Sequence, residues 1–86
     1  MAHQNTPAER QILHFIERLP MPEDLKTNWT DQVRTGGMTE ELDVEIRSKI
    51  AGDPNLNGPE KARFEVELNR LIRQWRMEVG AKKFAR

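Results

Sequence analysis

The chain has 86 residues, with 14 basic groups against 14 acidic ones, two histidines and no cysteine. That length implies one small domain, and the missing cysteines exclude disulfides, thiolate chemistry and cysteine-based zinc sites. No run approaches the roughly 18 apolar residues of a membrane span, and the opening MAHQNTPAER lacks the apolar centre of a secretion signal, so a soluble cytoplasmic protein is expected.

A mean hydropathy of −0.82 lies toward the polar end. The apolar residues are nevertheless clustered at helical spacing, the pattern of a chain that folds. Charge is divided unevenly along the sequence. Residues 1–56 carry 6 basic and 10 acidic groups, and residues 57–86 carry 8 basic and 4 acidic ones. Such asymmetry can hold two halves of a fold together, pair two chains, or present a basic end to an acidic partner.

Residues 1–5 are expected to be disordered, residues 6–80 to form the helical domain, and residues 81–86 (AKKFAR) to be a basic tail. Thr6-Pro7-Ala8-Glu9 predicts a helix start, with Thr as cap, Pro at the first helical position and Glu three residues beyond the cap. This first helix should run over about 7–19, stopped by Pro20 and Pro22. Ile12, Phe15, Ile16 and Leu19 form its core face, with Leu13 at the margin and His14 on the solvent side.

A second helix over about 22–35 opens with Glu23 and Asp24, where the helix dipole favours acids. Leu25, Trp29 and Val33 make its apolar stripe, Trp29 reading as a core anchor, and Gly36-Gly37 ends it. Thr39 caps a third helix over about 39–51, with Leu42, Ile46 and Ile50 inward and Val44 off the stripe. Its acids Glu40, Glu41, Asp43 and Glu45 read as dipole or surface groups. Gly52 and Pro54 close it.

The last helix, over about 59–79, is predicted to be the longest and the central one. At about 100° per residue, Phe64, Leu68, Leu71, Ile72, Trp75 and Val79 fall in one sector, the predicted core face. The opposite side carries Arg63, Arg70, Arg73 and Arg76, with Ala62, Val66 and Met77 among them. Gly80 is expected to break or fray the helix. The fold class is therefore all-α, a bundle of four helices without strands.

Three constellations could carry function. Asp53, Asn55, Asn57 and Gly58 match the first half of an EF-hand loop, D-x-N-x-N-G. The bidentate carboxylate due at its twelfth position is replaced by Phe64, so no calcium or other metal site is predicted. Phe64, Leu68, Leu71 and Trp75 follow coiled-coil spacing for two heptads only, which suits packing inside a bundle. The arginine side, Arg63, Arg70, Arg73 and Arg76, continued by Lys82, Lys83 and Arg86, is the candidate partner or nucleic-acid surface. Glu67 and Glu78 at its border weigh against phosphate binding.

No glycine-rich phosphate loop and no nucleophile–base arrangement around the lone Ser48 can be assembled, so neither catalysis nor a cofactor is expected. The sequence thus predicts a protein-interaction or structural module, with a protein partner or self-association. The alternative is a weak nucleic-acid-binding protein using the arginine side and the basic tail.

Overall fold

Four helices follow one another in the computed structural model, which describes the backbone of residues 4–84 and side chains as far as residue 80: α1 (Pro7–Arg18), α2 (Glu23–Gly36), α3 (Glu40–Ala51) and α4 (Gly58–Phe84). There is no strand among the described residues. All four expected helices are present, with starts and ends within a residue or so of the predicted positions, except the end of α4. That helix is the longest, and it packs on α1 along one side and on α3 along the other, while α2 packs on α1.

Side-chain caps explain three of the four starts, α2 following Pro22 without one. Thr6 and Glu9 form a reciprocal capping box: Thr6 Oγ1 accepts the Glu9 N–H at 3.3 Å, and Glu9 Oε1 accepts the Thr6 N–H at 3.0 Å. Thr39 Oγ1 accepts the Leu42 N–H and caps α3. Asn57 and Glu60 make a second reciprocal pair at the head of α4, at 2.8 and 3.1 Å. Asp53 Oδ1 accepts the Asn55 N–H at 2.8 Å. Two of the side chains that suggested an EF-hand, Asp53 and Asn57, thus serve turn and cap geometry. Gly37 ends α2 at φ 83°, a left-handed conformation that disfavours any side chain.

The core is one cluster drawn from all four helices. Trp29, Phe15, Ile12, Ile16, Leu19, Val33, Ile46, Ile50, Leu68, Leu71 and Ile72 are fully enclosed, and Trp75 is nearly so. Phe64 is half-buried and meets Phe15 edge-on, with ring centroids 6.1 Å apart. Leu56, in the loop before α4, is also buried and closes that end. Leu13, expected at the margin of α1, belongs to the core.

Two expectations for the end of α4 are corrected. Val79 shares the azimuth of the core residues but is 46% exposed, because the bundle offers too little beside it to cover it. Gly80 does not break the helix, which continues to Phe84. A glycine in a helix interior weakens it by about 1 kcal/mol without ending it; α2 is closed by Gly37 in a left-handed conformation and α3 by Gly52 at φ −94°. At about 1.5 Å per residue α4 spans roughly 40 Å, and it dominates the longest dimension of the molecule, 46 Å.

Candidate functional surface

Polar side chains sort the surface of α4 into two engaged edges and one open strip. On the edge toward α1, Glu67 pairs with Arg18, and Glu78 Oε2 accepts the Ala8 N–H at 3.1 Å. The other Glu78 oxygen is buried without a hydrogen-bond partner. On the edge toward α3, Arg76 grips Glu40 through two nitrogens at 2.7 and 3.0 Å and stands 3.9 Å from Asp43. Arg47 bonds both Asp43, at 2.9 Å, and Asn69 of α4.

The Arg76 contact has an electrostatic consequence. Hydrogen bonding to Arg76 holds the Glu40 carboxyl below its ordinary range, opposed in part by desolvation and reinforced by the charges of Arg76 and Arg47. Arg76 is correspondingly raised, first by the hydrogen bond to Glu40 and then by its charge.

Between these edges lies the strip. Val66 is 68% exposed and Met77 69% exposed. At about 100° per residue they stand about 20° apart around the axis, eleven residues apart along it, with Arg73 and Arg70 within about 40° of both. Arg63 adjoins them, and Ala62 is exposed beside it. Among the described residues no carboxylate pairs with Arg63, Arg70 or Arg73. The four acids of α4, Glu60, Glu65, Glu67 and Glu78, all fall outside this sector.

The seven residues expected to form a partner surface therefore divide. Arg63, Arg70 and Arg73 are exposed together on the strip, whereas Arg76 belongs to the α3 seam. Lys82, Lys83 and Arg86 lie outside the residues whose side chains are described. Glu67 and Glu78, read from the sequence as neighbours that would repel an anion, are instead turned to α1. An azimuth plot cannot show this, since it does not say where the neighbouring helix passes.

Sequence reasoning also missed buried acids. Glu9 is enclosed, and its Oε2 accepts the Met38 N–H at 2.7 Å, tying α1 to the turn between α2 and α3. Asp43 is buried against Arg47, and Glu45 accepts the indole N–H of Trp29. The acids of α3 thus serve the packing of α2 and α4 as well as the helix dipole.

A groove of about 380 Å³ runs beside the strip, lined by Arg47, Asn69, Ile72, Arg73, Arg76 and Met77. A second hollow of about 300 Å³ lies where the start of α1 meets Trp75, Glu78 and Val79. Among the described residues no group of three acidic or histidine side chains is placed to hold a metal ion, and no helix is long and apolar enough to cross a membrane. In comparisons with known proteins, no family model matches the chain, and no match is found among curated proteins or solved structures.

Proposed function

We propose that this chain is a protein-interaction module without catalytic activity of its own, and that the outward strip of α4 is its working face. The observation supporting this is the joint exposure of Val66 and Met77 among three arginines without carboxylate partners among the described residues. Val44 and Val79 are exposed as well, and single apolar residues in water are ordinary; what sets Val66 and Met77 apart is their shared azimuth among the arginines, methionine being adaptable to varied partners. Arginine is enriched at contact surfaces because its planar fork combines packing with hydrogen bonding.

The test is site-specific cross-linking in extracts of the source cell. A photoreactive residue at Met77 should give a discrete species, identified by mass spectrometry and lost in Arg70→Glu/Arg73→Glu, while the same residue at exposed Gln11 of α1 gives none. Equal labelling from both positions, or none from Met77, would contradict the reading.

The second reading, weak nucleic-acid binding, gains support from one feature: Glu67 and Glu78 are engaged with α1 and do not shield the arginines. Titration of labelled oligonucleotides at low and physiological salt separates the two. Affinity should fall by a slope of about 0.9 per phosphate contact on duplex DNA. With three arginines unpaired among the described residues, only weak nonspecific binding is expected at physiological salt. Micromolar or tighter binding, lost in Arg70→Glu/Arg73→Glu, would transfer the assignment to the second reading.

A further inference from the structure

We propose that the partner taken by the α4 strip is an acidic amphipathic helix. The inference rests on the interaction reading above and adds the chemistry of the occupant. Val66 and Met77 are separated by three turns, about 16 Å along α4, on nearly one azimuth. A helix laid along α4 repeats its own apolar residues at the same interval, so one seam of side chains can cover both anchors.

Arg70 and Arg73 lie between the anchors and Arg63 near one end. Each is exposed and without a carboxylate partner among the described residues. Glutamates or aspartates flanking the apolar seam of the partner would reach these guanidinium groups, which suit bidentate carboxylate contacts.

Other occupants fit less well. A phosphate backbone would use the arginines but has nothing to place over Val66 and Met77. A second copy meeting the first through the same strip, as two-fold symmetry requires, would set Arg70 and Arg73 against their own equivalents. A basic helix would meet the same repulsion. The groove beside Met77 and Arg73 is walled on the α3 side by Arg47, which bonds Asp43 and Asn69, and by Arg76, which bonds Glu40. It offers a recess at one end of the strip for a side chain of the docked helix.

The experiment is a titration of the isotope-labelled full chain, followed by amide shifts. The probe is a synthetic peptide of about 18 residues, five helical turns, with leucines at alternating three- and four-residue spacing and glutamates on both flanks. The controls are the same peptide with lysine for every glutamate, and a single-stranded oligonucleotide.

The acidic peptide should move amides between Ala62 and Met77, lose affinity as salt rises, and bind at least about tenfold more weakly to Arg70→Gln/Arg73→Gln, a loss of about 1.4 kcal/mol. The lysine peptide should leave those amides unmoved. Equal binding of the lysine peptide, tighter binding of the oligonucleotide, or indifference to the two arginines overturns the proposal. If cross-linking from Met77 succeeds and the acidic peptide fails, the partner class is wrong and the interaction reading stands. If both fail, both fall.

Discussion

Glu9 joins two parts of the chain with one carboxylate, accepting the Thr6 N–H at the start of α1 and the Met38 N–H after α2. Removing it strands a buried donor, so Glu9→Ala should lower the unfolding free energy by about 1–3 kcal/mol in urea and speed exchange of the Met38 amide. Unchanged exchange at Met38 would contradict this. The first of these bonds was legible from Thr6-Pro7-Ala8-Glu9 alone, because capping boxes are local. The second was not, since it depends on where the turn between α2 and α3 comes to rest. Leu71, enclosed as its azimuth predicted, should cost about 2–5 kcal/mol as Leu71→Ala, and a measured loss below about 0.5 kcal/mol would place it outside the core. The Glu40–Arg76 pair gives a pH prediction. A carboxyl held below its ordinary range contributes stability that is present above the unfolded value and lost as pH falls through the lower folded one. The effect on stability should be small, since both side chains are more than half exposed. The titration itself is the readout: Arg76→Gln should return the Glu40 carboxyl toward the ordinary range in a carbon-detected NMR titration. An unmoved midpoint would mean that the pair does not form.

At the scale of elements, α4 has one buried face and one open one. Leu68, Leu71, Ile72 and Trp75 bury one of them against the rest of the bundle, and nothing described covers the other. The spacing of apolar residues shows the first face directly, because burial requires a periodic stripe. The ends are harder to read, as Gly80 and Val79 illustrate. A glycine can stop a helix or merely weaken it, and periodicity continues past the point where neighbouring helices no longer cover it. Two substitutions separate these cases. A side chain at Gly80 meets nothing within 4 Å, so Gly80→Ala should add helicity and raise stability by about 0.5–1 kcal/mol. Gly37 holds φ 83°, so Gly37→Ala should be destabilising by about 1–2 kcal/mol. Circular dichroism with thermal melts on both variants checks the pair, and a destabilised Gly80→Ala would mean that α4 does end there.

For the whole molecule, the division of charge between the two parts of the sequence is only partly a matter of internal pairing. Arg76 reaches Glu40, and Glu67 reaches Arg18, but Arg63, Arg70 and Arg73 remain without partners among the described residues. Composition showed the imbalance but could not say which cations the fold would neutralise, because that depends on the positions of α1 and α3 beside α4. Arg70→Glu/Arg73→Glu should therefore leave the unfolding free energy within about 0.5 kcal/mol of the parent, even though it reverses the charge of the strip. The central claim is that α4 builds the core with one face and leaves the other open. Relaxation of side-chain methyl signals by an inert paramagnetic cosolute reads both faces in one experiment. Val66 and Met77 should relax strongly while Leu68, Leu71 and Ile72 stay protected; protection of Val66 and Met77 equal to that of Leu71 in the monomeric chain would contradict the account.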